Sequence, residues 1–358
     1  MINVGLIGFG LGGRVFHAPM ISAVEGLRLA AIMQRSGSDA EQHYPGTRIV
    51  RTVDEMLAIP GIDLITVTTP NKTHFEIAKK CLESGKHVVI DKPFTTTSNE
   101  AHELADLALA CGKVLSVYQN RRWDSDFLTV QKVVRDGVLG RIVTFEAHYD
   151  RFRPELRPGT WKESVDPGTG ILFDLGPHLI DQALVLFGKP DEVFADVRRE
   201  RDGTAVDDAF DVIFFYPRLR AMLRSTMMAT AAGPRFVLNG DRAKFVKYGL
   251  DPQEEALIAG NKPGGDGWGR EGESLSGTLT LADGEVKKVP SLAGDYRKYY
   301  ENVRDAILGR APLAVTPEHG IDVMMALELA MQSSREGRRV EWPTAKEQPQ
   351  VDRPKKGQ

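Results

Sequence analysis

Ile2-Asn3-Val4-Gly5-Leu6-Ile7-Gly8-Phe9-Gly10-Leu11-Gly12-Gly13 opens the chain after its first methionine, and a helical pattern follows from Arg14 to Ala23. The run Ile2 to Ile7 is short and almost wholly apolar, as expected of a strand buried on both faces. Gly8, Gly10 and Gly13 then fall in the spacing G-x-G-x-x-G. The first glycine permits a tight turn and the second lets a pyrophosphate approach the backbone. The third lets helix and strand pack closely, with the free N–H groups of the helix start facing the phosphates. In this strand–turn–helix context the motif predicts a dinucleotide site, with Phe9 and Leu11 beside the glycines.

Working outward, the first third alternates short apolar strands with helices: Leu27 to Met33, Arg48 to Val50, Leu64 to Val67, Val88 to Ile90 and Val114 to Val117. Thr52 and Glu55 form a capping-box pattern, and Gly85 and Gly112 sit just past helix ends. Such a series predicts a parallel sheet covered on both faces. After Tyr118 the pattern changes. A helix from about Ser125 to Asp136 and another from about Asp174 to Phe187 are followed by alternating strands, with turn signals at Asn239-Gly240 and Ala282-Asp283-Gly284. Two helices, about Asp295 to Leu308 and Thr316 to Arg335, close the pattern. The expected organisation is an α/β chain: a Rossmann domain over 1–119, an α+β domain with a largely antiparallel open sheet over 120–343, and a polar tail over 344–358.

The bulk properties narrow the function. The 358 residues suit two domains of ordinary size, and 42% hydrophobic with 27% charged residues is a globular balance. The net charge is −3 and no long basic run is present, so a nucleic-acid partner has no electrostatic support. The one dense charge cluster, Arg198-Arg199-Glu200-Arg201-Asp202, reads as a solvated turn. Cys81 and Cys111 read as reduced core residues, without a disulfide or metal site. No apolar run is long enough to span a bilayer and no secretory pattern opens the chain; the expected compartment is the cytoplasm.

Cofactor choice is read at the end of the second strand. An acidic residue there would bind the adenosine ribose. This chain has Met33-Gln34-Arg35-Ser36-Gly37-Ser38 instead, with no acid before Asp39. Arg35, with the Ser36 and Ser38 hydroxyls, suits a 2′-phosphate, so NADP is expected over NAD; a solvated turn arginine is the other reading.

Several segments together resemble the glucose–fructose oxidoreductase / inositol dehydrogenase superfamily, over nearly the whole chain. They are Gly8 to Pro19, Thr69-Pro70-Asn71-Lys72-Thr73-His74, Gly85 to Pro93, Asn120-Arg121-Arg122-Trp123-Asp124 and Asp174-Leu175-Gly176-Pro177-His178-Leu179-Ile180-Asp181-Gln182. The last two look most like the branch of NADP-dependent scyllo-inositol dehydrogenases. One departure is visible: Asp91-Lys92-Pro93 stands where the family has Glu-Lys-Pro. The resemblance implies that Thr69, Pro70, Asn71 and His74 line the nicotinamide side of the cofactor, with Asp91, Lys92 and Asn120 nearby. It also implies a homo-dimer or homo-tetramer.

The residues themselves agree with a catalytic reading. Lys92 follows the fifth parallel strand, at the sheet end where ligands bind, and an ammonium there can stabilise developing alkoxide charge. Asp174 and His178 are spaced i, i+4 and share a face of a helix beginning near Asp174. A histidine suits removal of an alcohol proton, and a nearby carboxylate can orient it. The expectation is hydride transfer between NADP and a sugar or cyclic polyol, with Lys92, Asp174 and His178 catalytic and no metal. Asn120, Asp150, Arg151, Trp161 and Lys162 are the candidate substrate contacts. A nicotinamide-dependent glycoside-processing enzyme and a non-catalytic cofactor-binding regulator are the competing readings.

Overall fold

The computed structural model describes residues 1–157, 159–160 and 163–343. Trp161, Lys162 and the tail 344–358 therefore lie outside the described residues. Six parallel strands form the first sheet: β1 Ile2–Ile7, β2 Leu27–Met33, β3 Arg48–Val50, β4 Leu64–Val67, β5 His87–Ile90 and β6 Leu115–Val117. Their order is β3-β2-β1-β4-β5-β6, so the direction of winding reverses between β1 and β4. A crevice opens at the carboxyl ends of the strands at such a reversal. Strands β4 and β6 are buried throughout, because helices cover both faces.

The second sheet has nine strands: β7 Ile142–His148, β8 Glu192–Arg198, β9 Ala209–Phe215, β10 Arg220–Thr226, β11 Phe236–Gly240, β12 Ala243–Lys247, β13 Gly277–Leu281, β14 Val286–Val289 and β15 Val340–Glu341. The order is β14-β13-β12-β11-β7-β10-β9-β8-β15, antiparallel except for the β7–β10 pair. One face carries the helices Ile171–Phe187 and Pro317–Glu336. The other shows the alternate residues, such as Glu146 and His148 of β7.

The later helices also tie the two sheets together. From the helix Arg297–Ile307, the Tyr300 hydroxyl lies 2.7 Å from His17 Nδ1, and that of Tyr299 donates to Ser116 at 2.8 Å. Glu328 accepts from the Ser98 backbone N–H at 2.7 Å.

Three local expectations differ from the structure. The helix expected to begin near Asp174 starts at Ile171, with Gly170 as N-cap at φ +89°. Its first turn is satisfied by a remote residue: Ile171 N–H donates to the Asp207 carbonyl at 2.9 Å and Leu172 N–H to the Asp207 carboxylate at 2.8 Å. No local signal reports a cap supplied from so far along the chain. The turn expected at Asn239-Gly240 is shifted to Asp241-Arg242. Gly240 remains in β11, paired with Ile142 across a register shift, at a position where a Cβ would stand 2.0 Å from the Leu139 carbonyl oxygen. Finally, Arg201 is not a solvated turn residue. It is buried, and holds Asp208 at 2.8 Å and Glu163 at 3.2 Å.

Candidate active site

The Gly8–Gly13 loop has the shape that a diphosphate requires. Gly8 has φ +103°, and a Cβ there would meet the Thr68 backbone at 2.9 Å. A Cβ on Gly13 would lie 2.2 Å from the Gly8 carbonyl oxygen, so the helix can approach β1 only without a side chain. Gly10 has nothing within 4 Å of such an atom and faces open space. The residues present therefore fit a dinucleotide's phosphates over Gly10. Gly12–His17 forms a π-type turn before the α-helix Ala18–Ala23. Phe9 is buried edge-on against Tyr44, while Leu11 is exposed.

At the end of β2, Arg35 and Ser36 are exposed, and among the described residues the Arg35 guanidinium makes no hydrogen bond or ion pair. Arg51 shapes this loop from below, donating to the carbonyls of Gln34 at 2.8 Å and Gly37 at 3.0 Å. Ser38 is engaged locally, accepting from Gln42 at 3.0 Å.

The ends of β4, β5 and β6 bring the next residues together. Thr69, Pro70 and Asn71 follow β4. Asn71 is buried and donates to the Gly168 carbonyl at 2.6 Å, bridging to the loop before the helix Ile171–Phe187. His74 is fully buried, with Nε2 2.8 Å from the Thr69 carbonyl and Nδ1 2.9 Å from that of Pro93. It braces the β4 and β5 loops against each other from within. Burial lowers its pKa, against the pull of Asp91 and the surrounding carbonyls.

Asp91 is partly exposed, and its carboxylate sits where a Gly12 side chain would be, 2.8 Å from the Cβ position. One oxygen accepts from the Lys92 backbone at 2.8 Å and the other lies 3.6 Å from His17 Nε2. Burial works to raise this carboxyl, but His17, Lys92 and His74 outweigh it and hold the pKa below the ordinary carboxylate value.

Lys92, in a cis peptide with Pro93, reaches across to the helix Ile171–Phe187. Its ammonium bonds both the backbone carbonyl and, at 3.1 Å, the carboxylate of Asp174. His178 lies one turn further along and is buried. Its Nδ1 has no hydrogen-bond partner among the described residues. Burial first, then the cations Lys92, Arg121 and Arg235, push its pKa well below the ordinary histidine value, against Asp174. The imidazole is therefore neutral at neutral pH and able to accept a proton.

Asn120 is buried at the start of the short helix Asn120–Trp123, just past β6. Arg151 lies against the Tyr149 ring, 5.1 Å from its centroid. Asp150 does not join them: its carboxylate accepts from Thr226 N at 3.2 Å and lies 3.6 Å from His148, on the opposite face of the second sheet. Several neighbours of the site carry no local signal. Arg121 pairs with Glu254 and, at 3.3 Å, with Asp124; Arg235 pairs with Asp126 at 3.2 Å and with Gln182 at 3.1 Å. Among the described residues no group of three or more His, Cys, Asp or Glu is placed to hold a metal ion, and no helix is long and apolar enough to cross a membrane.

Comparison with known families decides the relationship. Residues 2–119 match the model of the oxidoreductase family's NAD-binding Rossmann fold, and 131–342 match that of its C-terminal alpha/beta domain. The chain belongs to the Gfo/Idh/MocA oxidoreductase family. It is 44% identical to an uncharacterized oxidoreductase, YdgJ, of Escherichia coli over 93% of this chain and 96% of that one. It is 40% identical to the scyllo-inositol 2-dehydrogenase (NADP(+)) IolW of Bacillus subtilis, over 95% of each. The solved structure of the Bacillus subtilis protein yvaA superposes with a TM-score of 0.93 at 39% identity, over 96% of this chain and 98% of that one. As a Gfo/Idh/MocA oxidoreductase, the chain has its NAD-binding fold in the first sheet and its loops.

Proposed function

We propose that this oxidoreductase moves a hydride between NADP(H) and a carbinol or ketone carbon of a cyclic polyol or sugar, with substrate held mainly by residues from 120 onward. The observation that carries the reading is the meeting of Lys92, Asp174 and His178 beside the dinucleotide loop. A lone cofactor-binding module has no use for a neutral buried imidazole one turn from a lysine-bound carboxylate. The relative IolW, named for scyllo-inositol and NADP, supports both the substrate class and the cofactor.

The Gly8–Gly13 loop would hold the diphosphate, and Arg35 with Ser36 the 2′-phosphate. A bound nicotinamide supplies the hydride acceptor for oxidation and the donor for reduction. In oxidation, His178 takes the hydroxyl proton on its imidazole, where Nδ1 has no partner among the described residues. Lys92 donates to the same oxygen and stabilises the negative charge that develops on it. Asp174 holds the Lys92 ammonium in place through two hydrogen bonds. The direct test is the purified protein with NADP or NAD and a panel of inositols, sugars, simple alcohols and small hydroxy acids, followed by nicotinamide absorbance. Inositols or sugars should give the highest kcat/KM. A simple alcohol or hydroxy acid outperforming all of them would refute the polyol assignment.

A further inference from the structure

Among the described residues, not every cation near the site has a carboxylate partner. Lys92 is matched by Asp174, Arg121 by Glu254 and Asp124, and Arg235 by Asp126. Arg151, Arg153 and Arg157 lie on the loop that leaves β7, and among the described residues none of their guanidiniums enters an ion pair or a hydrogen bond.

Their direction follows from strand alternation. Phe145 and Ala147 are buried, and the Phe145 ring meets Phe187 of the helix that carries Asp174 and His178, at 5.3 Å between centroids. Tyr149 continues that face. The extended pairing persists beyond β7: Tyr149 N–H donates to the Arg224 carbonyl at 3.0 Å and Arg151 N–H to that of Thr226 at 2.9 Å. Arg151 therefore remains on the active-site side, against Tyr149, whose hydroxyl lies 3.3 Å from Glu254. Arg153 comes next on the same side. Partial burial and the nearby Arg151 and Arg157 lower its pKa, while Asp174 and Glu254 pull the other way, so its guanidinium lies within the field of the site's carboxylates.

The loop is also anchored. Buried Arg201, held by Asp208 and Glu163, donates to the carbonyls of Glu155 at 3.3 Å and Arg153 at 3.5 Å. Three neighbouring guanidiniums on an anchored loop repel one another in the free protein, and an anion between them removes that cost. A planar guanidinium fork matches a carboxylate or phosphate in two parallel hydrogen bonds.

We propose that the preferred substrate is an anionic polyhydroxy compound, a sugar acid or the phosphate of a sugar or inositol. Its anionic group is held by Arg151 and Arg153 in the field of Arg157, while the reacting hydroxyl lies at His178 and Lys92. This rests on the dehydrogenase reading above and specifies its substrate.

The test uses the full-length protein as wild type and as Arg151→Ala, Arg153→Ala and Arg153→Lys, with Arg335→Ala, an exposed position on the helix Pro317–Glu336, as control. At saturating NADP, kcat/KM is compared for scyllo-inositol and glucose, for gluconate and glucuronate, and for a hexose phosphate and an inositol phosphate. The wild type should favour one of the anionic sets by about tenfold or more, with KM rising with ionic strength. Arg151→Ala and Arg153→Ala should each cut the anionic-to-neutral ratio by about 10–100-fold, chiefly through KM, with Arg153→Lys between them and the wild type. Arg335→Ala should not change it. Whether carboxylates or phosphates lead identifies the anion. Neutral polyols turning over as well as every anion, or a ratio unchanged in both alanine variants, would overturn this assignment and leave the dehydrogenase reading standing. No turnover of any polyol, charged or neutral, would overturn both.

Discussion

Gly10 and Gly13 stand three residues apart in one loop, and the same substitution should have opposite effects at the two. At Gly13, an alanine Cβ would lie 2.2 Å from the Gly8 carbonyl oxygen and 2.9 Å from Thr68 Oγ1. The nearest clash is with backbone, so the helix must retreat from β1 by about 1 Å to restore van der Waals contact. Overpacking of this kind costs about 1–3 kcal/mol. At about 2–4 °C per kcal/mol for a domain of this size, the cofactor-free protein should lose about 2–12 °C in Tm. At Gly10 nothing lies within 4 Å of the new atom and φ is not positive. Alanine there should leave the cofactor-free Tm unchanged, or raise it through about 0.4–1 kcal/mol lost from the unfolded chain's freedom. The methyl would instead occupy the space into which the diphosphate must come, weakening NADP binding at least tenfold, about 1.4 kcal/mol. Calorimetry of the cofactor-free variants and fluorescence titration with NADP separate the two effects. Wild-type affinity in Gly10→Ala would mean that the phosphates do not pass over Gly10. An unchanged Tm in Gly13→Ala would refute the close packing of helix on strand.

Three further outcomes are expected. His178→Ala should lower kcat by about 10²–10⁴-fold while leaving the NADP dissociation constant within about twofold, and near wild-type turnover would remove His178 from the chemistry. Because the His178 pKa is lowered, oxidation should hold its kcat/KM through about pH 6.5 and fall only below it; Lys92→Gln removes a lowering charge, so its residual activity should show an acid limb at higher pH. Arg35→Ala should reduce the NADP-to-NAD ratio of kcat/KM about tenfold or more, since a hydrogen bond to a charged group contributes about 1.5–3 kcal/mol; a wild-type preference for NAD would refute the assignment of that loop.

The dinucleotide half of the molecule was legible because its determinants are local. Three glycines, six short apolar runs and the helices between them determine β1–β6 and their winding, and each element ends within a few residues of where its pattern ends. Lys92, Asp174 and His178 were grouped for a different reason: family resemblance linked segments that local pattern cannot link. The sequence shows Asp174 and His178 on one helix face. It does not show that a lysine 82 positions earlier bonds both the carbonyl and the carboxylate of Asp174.

What remained hidden is what tertiary packing supplies. His17 reads as one more residue of the first helix, yet the fold sets it between Tyr300 and Asp91, 283 and 74 positions away. Asp150 and Arg151 are neighbours in a polar run, and composition alone groups them as one substrate-binding patch. Alternation separates them: Asp150 turns to the open face with His148, and Arg151 to the side of Asp174. The same rule carries Arg153 to the active-site side, where, among the described residues, neither it nor Arg151 enters an ion pair. Which charges the fold gathers at one site is invisible in a count whose total is −3. On the substrate assignment proposed above, the charge of the substrate is encoded in strand register, at Tyr149, Arg151 and Arg153, and not in any motif.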